Sequence, residues 1–197
     1  TDSAPGPRPC PATVTVSDPA GASSFASVDI DVDPAGVECI AGRSDDFLGT
    51  TLDRDRWTVI RENQDLSVAD SQLVLPITAT DIYGTNNTDA PNIVVQPLPD
   101  GAVTITTTVT GEFYDAYEQA GLILYQDDDN YVKFVFEGRS TGSADPAARV
   151  FQLVQETAGS PDETNGPAVG DGYPDTVHLQ LRIDDAGLVE AYSSLDG

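Results

Sequence analysis

Residues 119–137 read QAGLILYQDDDNYVKFVFE. Two runs rich in β-branched, aromatic and aliphatic residues flank a cluster of Asp and Asn, and the second run alternates with period two, the mark of an extended strand. Gln119–Gln126 and Asn130–Glu137 are therefore read as paired strands joined through Asp127-Asp128-Asp129-Asn130, side chains that favour tight turns by bonding to nearby backbone. In the second strand Val132, Phe134 and Phe136 share one face and belong in a core. Tyr131, Lys133, Val135 and Glu137 share the other, a mixture of ring, charge and valine. That mixture fits a shallow polar binding face, and it fits as well the solvated side of an antiparallel sheet.

The same pattern recurs outward in both directions. Strands are expected at Trp57–Arg61, Leu66–Ala69, Gln72–Pro76, Asn92–Gln96, Ala102–Thr110, Arg149–Glu156, Thr176–Ile183 and Leu188–Ser193. Pro99-Asp100-Gly101 breaks the chain before a long Thr/Val run, and Asp184–Gly187 joins the last two strands. Residues 138–148 and 157–175 are polar, rich in Gly and Pro, and read as long surface loops. No stretch sustains a helical period. Many short strands with 17 Gly and 14 Pro among 197 residues argue for an all-β, antiparallel two-sheet sandwich of jelly-roll type. The chain stops just after its last strand, so the sandwich is expected to lack its final strands, leaving an open sheet edge for neighbouring sequence or another subunit.

Residues 1–43 have a different character. Pro5, Pro7, Pro9 and Pro11 make a stiff lead-in; Ala12–Ser17 and Ser24–Val32 spell a hairpin about Asp18-Pro19-Ala20-Gly21; residues 33–43 form a linker. The expected division is thus 1–43 as an appendage and 44–197 as the sandwich. Cys10 and Cys39 are the only cysteines, and an even pair in an acidic, lysine-poor, strand-rich chain is most simply one disulfide in an oxidising compartment. Closing that loop would add about 3 kcal/mol. The start, Thr1-Asp2-Ser3-Ala4-Pro5, reads as already processed or excised, and the expected location is extracellular.

Charge narrows the partners. With 33 Asp and Glu against 9 Lys and Arg, the formal net charge is −24. Such a surface repels phosphate backbones, which excludes nucleic acid and disfavours anionic membranes. No run approaches the roughly 20 apolar residues that span a bilayer, so membrane insertion is not expected.

Three segments, DDFLGTTLDRDRWTVIREN (45–63), DIYGTNNTDAPNIVVQPLP (81–99) and YEQAGLILYQDDDNYVKF (117–134), resemble the concanavalin A-like domain found at the C-terminus of β-xylosidases and in secreted bacterial multidomain proteins. The resemblance runs from about Asp45 to the end. It departs after Asn63, where Gln64-Asp65-Leu66 stands in place of the family's usual tryptophan. The N-terminal stretch ATVTVSDPAGASSFASVDIDV (12–32) resembles the closing hairpin of PKD-like immunoglobulin repeats. The family resemblance implies a concanavalin A-like fold that buttresses a catalytic domain carried elsewhere, or binds glycan, and carries no cleavage residues itself.

Sugars are held by aromatic rings and planar polar groups, which makes Trp57, Tyr83, Tyr125 and Tyr131, with Arg61, Asn87, Gln119 and Lys133, the candidate carbohydrate-binding set; Tyr114 and Tyr117 are further platforms. Trp57 reads also as core. Calcium would suit the oxygen-rich runs, with Asp127, Asp129 and Asp46 as candidate ligands, although Asp127–Asn130 reads more simply as a turn. His178, the only histidine, lies mid-strand on the parity opposite Val177, Leu179 and Leu181 and is read as a surface residue. Glu62, Glu112, Glu118 and Glu137 show no signature spacing for a glycosidase pair. The expected function is a non-catalytic carbohydrate-binding or accessory module of a secreted multidomain protein, with no organic cofactor and a polysaccharide or glycan as partner. The alternative is a structural or adhesive β-sandwich subunit pairing through its open edge; a glycoside hydrolase stands last.

Overall fold

β-Branched and aromatic side chains lose least conformational freedom when the chain is extended, and the runs rich in them are the strands. The computed structural model describes residues 13–15, 42–85, 87, 89–113, 115–139, 149–166, 169 and 174–196. Among these the chain forms β1 (Thr13–Thr15), β2 (Thr58–Ile60), β3 (Ser67–Ala69), β4 (Gln72–Val74), β5 (Ile93–Val95), β6 (Val103–Thr110), β7 (Gln119–Asp127), β8 (Asn130–Gly138), β9 (Arg149–Thr157), β10 (Ser160–Asn165), β11 (Thr176–Ile183) and β12 (Val189–Ser194), with no helix. Every strand expected from residue 57 onward is present.

Two sheets face each other. One has the order β12-β11-β6-β1-β4-β3, the other β10-β9-β8-β7, and β2 pairs with β5 as a separate ribbon. The core between the sheets is the product of alternation: Val177, Leu179, Leu181 and Ile183 from β11 and Val109 from β6 meet Phe134 and Phe136 of β8 and Phe151 of β9. Phe136 and Phe151 stack with centroids 4.9 Å apart, and Phe113 meets Phe136 edge-on at 5.8 Å. Each such side chain contributes about 2–3 kcal/mol by leaving water.

A smaller cluster of Phe47, Leu52, Val68 and Leu73 holds the start of the domain. Trp57 belongs to it, stacked on Phe47 at 6.1 Å with its Nε1–H donated to Asp45 Oδ2 at 2.7 Å. The β2–β5 ribbon lies against this cluster through Val59 and Val94, while Ile93 reaches toward the outer side of the four-stranded sheet.

Three expectations are corrected. The 157–175 stretch is not one loop, because residues 160–165 pair antiparallel with β9 as β10. The hairpin turn there is Ala158-Gly159, both with positive φ (50° and 71°), the geometry that matches strand twist in a two-residue connection. The strand escaped notice because its sequence, SPDETN, is exposed or half-exposed throughout and so carries no apolar alternation; Pro161 is at home on such an edge. Second, the strand expected within residues 12–17 does not stand in a hairpin apart from the sandwich. β1 lies within the six-stranded sheet, parallel to both β4 and β6, where it joins what would otherwise be two bare strand edges. The rest of the proposed N-terminal hairpin, and Cys10 and Cys39, lie outside the described residues. Third, the Tyr131-Lys133-Val135-Glu137 face is neither shallow nor solvated: all four residues are buried.

Candidate functional site

The burial of that face has a local cause. Cross-strand pairing sets Tyr125, Ile123, Gly121 and Gln119 of β7 beside Tyr131, Lys133, Val135 and Glu137 of β8, and these beside Glu156, Val154, Gln152 and Val150 of β9. Glu163 of β10 stands opposite Val154. Across this polar and apolar mosaic runs the segment after β4, which packs Ile82, Tyr83, Ala90 and Ile93 onto Tyr131 and Val154. Residues 81–84 act as a strap.

The strap is held by hydrogen bonds rather than by apolar contact alone. Glu156 Oε2 accepts from Tyr131 Oη–H at 2.8 Å and from the Gly84 amide at 2.9 Å. The Tyr83 hydroxyl donates to Glu163 Oε1, and Gln152 Nε2 donates to Glu163 Oε2 at 3.0 Å and to Asn165 Oδ1 at 3.1 Å. Lys133, only 5% exposed, places its ammonium 3.6 Å from Asp81 Oδ1 and 5.9 and 5.7 Å from the ring centres of Tyr83 and Tyr131. It thus balances charge while lying over two π faces.

Burial and neighbours shift the titrating groups. The hydrogen bond to Glu163, aided by burial, pushes the Tyr83 phenol up to about 12. Desolvation, then the Glu156 carboxylate, raises Tyr131. Desolvation also raises Glu137, against the pull of Arg139 and Lys133. Arg139 Nε lies 2.9 Å from Glu137 Oε1, yet not aligned for a hydrogen bond, so the contact is an ion pair. Glu156 Oε1 is buried without a hydrogen-bond partner.

Beside this covered face the surface opens. Residues 77–81 and 116–118 bound a groove of about 450 Å³. Tyr117 stands on its rim with 66% of its surface exposed, its backbone at φ 70° and its amide bonded to the Gly138 carbonyl at 2.7 Å. Thr78, Thr80, Asp81 and Glu118 supply oxygen along the walls. Gln119 follows immediately and donates to the Tyr117 carbonyl at 3.3 Å. A second hollow of about 450 Å³, between residues 50–54 and 66–68, has no exposed ring on its walls.

Of the candidate carbohydrate-binding residues, the structure brings Tyr83, Tyr131, Lys133 and Gln119 to the covered face and its margin. It ties three others into a different device. Arg61 makes a two-pronged bond to Asp128 at 2.9 and 3.0 Å and donates Nε–H to the Ala90 carbonyl at 2.8 Å; Tyr125 donates to the same carboxylate at 2.7 Å. Desolvation opposes ionisation of Asp128, but hydrogen bonds from Asn87, Tyr125 and Arg61 prevail and hold it below its ordinary value. This clasp pins β2, through Arg61, and the chain at Asn87 and Ala90 to the β7–β8 hairpin. Trp57 stands apart in its own cluster.

The candidate calcium ligands are not gathered. Asp127 Oδ1 accepts from the Asp129 amide at 3.0 Å and from Asn130 Nδ2 at 2.8 Å, an Asx turn; Asp46 is exposed at the start of the domain. Among the described residues no three His, Cys, Asp or Glu side chains converge as a metal site. His178 is half-buried, its Nδ1 2.9 Å from Thr108 Oγ1, and desolvation lowers its pKa. Sequence reasoning passed over Asp81, Gln152, Glu156 and Glu163. Carboxylates are common in this chain, and only the Tyr131↔Glu156 register shows which of them lie under the strap.

The family described as the β-xylosidase C-terminal concanavalin A-like domain matches over residues 44–197. No curated protein matches, and no solved structure does.

Proposed function

We propose, from the premise that this chain belongs to the β-xylosidase C-terminal concanavalin A-like family, that it is a non-catalytic accessory module of a secreted multidomain protein and binds polysaccharide in the groove beside Tyr117. One observation carries the reading: an exposed tyrosine ring stands at the rim of an open groove whose walls set the hydroxyls of Thr78 and Thr80 and the carboxylates of Asp81 and Glu118 among the apolar Ile77, Ala79 and Ala116. A ring of that kind stacks on the apolar face of a pyranose while oxygen acceptors take its hydroxyls. A net charge of −24 favours neutral glycans over uronic-acid polymers.

Affinity electrophoresis tests it. In gels containing neutral arabinoxylan, mixed-linkage β-glucan or arabinan, the protein is expected to be retarded by at least one neutral polymer, and Tyr117→Ala to run as though the polymer were absent. Because Tyr117 is exposed, the substitution should change stability by less than about 0.5 kcal/mol. Unretarded migration of the parent protein in every gel, or unchanged retardation of the variant, refutes the groove.

A further inference from the structure

We propose that residues 81–84 cover the inner half of a longer glycan site, and that an oligosaccharide too long for the open groove displaces the Tyr83 ring from the sheet and lies in its place. This rests on the glycan reading of the groove. Asp81 is common to both halves: it lines the groove and sits 3.6 Å from Lys133 beneath the strap. The groove and the covered face are therefore continuous through one residue.

The strap occupies the sheet much as a sugar residue would. A flat ring lies over the Lys133 ammonium, a hydroxyl donates to Glu163, and an N–H donates to Glu156. It fills the position incompletely. Glu156 is 2% exposed, yet its Oε1 accepts nothing, a condition natural interiors avoid because the desolvated oxygen goes uncompensated. A pyranose brings several hydroxyl donors where the strap brings two. The acceptors beneath, Glu156 and Glu163, and the amide of Gln152 are fixed on paired strands and need not move. The Tyr83 ring can move, since only one hydrogen bond, from its phenol, ties this half-exposed side chain to the sheet besides its place over Lys133, and Gly84 next to it adopts φ 59°, where glycine is free of strain.

Titration calorimetry with xylobiose and xylohexaose, on the parent chain and on Tyr83→Phe, tests the proposal. Loss of the latch should tighten hexaose about fivefold, the scale of one hydrogen bond, and leave biose unchanged. Gln152→Ala should weaken hexaose alone. Amide exchange gives a second readout: bound hexaose should speed exchange at Gly84, where a ligand on top of a closed strap would slow it. Unchanged or weaker hexaose binding by Tyr83→Phe, slowed exchange at Gly84, or no hexaose binding by either protein overturns the strap. Tyr117→Ala separates the two ideas. Unaltered biose binding by that variant removes the groove, whereas a Tyr83→Phe result without length dependence removes only the strap.

Discussion

Strand β8 buries both of its faces, and it does so by two different kinds of chemistry. Toward the six-stranded sheet it presents Phe134 and Phe136 to other rings and aliphatic chains, with one cation, the buried Arg149 guanidinium, 5.1 Å from the Phe136 ring centre. Away from it, Tyr131, Lys133 and Glu137 are as deeply enclosed, at 4, 5 and 2% exposure, but among carboxylates, amides and a strap of backbone. Apolar transfer is non-directional and independent of pH. The polar face holds only while each donor meets its acceptor, because a buried group that loses its partner keeps the whole cost of desolvation. Burial alone therefore does not distinguish a core from a site. The inner face can only hold the fold together, while the outer face is closed by contacts that another ligand could replace.

The comparison breaks most visibly at Phe136. Truncating it to Ala removes a ring in contact with Phe113 and Phe151 and should cost about 3–5 kcal/mol. Chemical denaturation should show the same loss at every pH between 5 and 8, the range in which few carboxylates titrate. A loss that varies with pH would mean that titrating groups, and not ring packing, set the cost, since the one cation on this ring, Arg149, keeps its charge throughout that range.

Tyr131→Phe is the matching test on the outer face and should have a smaller effect. The ring stays and the hydroxyl is lost, with its bond to Glu156 Oε2 and its long contact to the Ile82 carbonyl, leaving that carboxylate with the Gly84 amide alone. A loss of about 2 kcal/mol is expected, accompanied by faster exchange of the Gly84 amide. A near-neutral result would show that water replaces the phenol and that the face is wetter than its exposure implies.

What the sequence made legible follows the same division. Period-two alternation marks strands whose two faces differ, so Phe134 and Phe136 lie in the core as residue type predicts, whereas Val132 on the same face is only half-buried. It is silent where the faces do not differ. β10 is polar on both sides and was read as loop. The Tyr131-Lys133-Glu137 face reads equally as a shallow binding face or a solvated one because charged residues are usually exposed, and its cover comes from residues 81–84, nearly fifty positions earlier in the chain and without a strand pattern of their own. Arg61, Asn87 and Tyr125, expected on chemistry to hold a polyol, instead converge on a carboxylate. Their common partner, Asp128, lay inside a run that turn propensity had already explained. Lys133 and Tyr83 came to one place only through the fold, as did Gln152 and Glu163.

That clasp yields the smallest effect and the one with a sign in pH. Asp128 is held below its ordinary value by hydrogen bonds from Asn87, Tyr125 and Arg61, which outweigh its desolvation. A carboxylate with a depressed folded pKa adds stability that is present above the unfolded value near 3.9 and is lost as pH falls through the folded value. Asp128→Asn should therefore be less stable than the parent chain by about 1 kcal/mol at pH 7, the lower end for a two-pronged pair whose side chains are 27 and 18% exposed. The difference should shrink as the solution is acidified below about pH 4. Salt should narrow it at pH 7 and leave the Phe136→Ala loss untouched, since screening acts on the charged clasp and has no hold on stacked rings. If both losses respond to salt alike, the two faces of β8 are not held by different forces, and the outer one loses its claim to be a site.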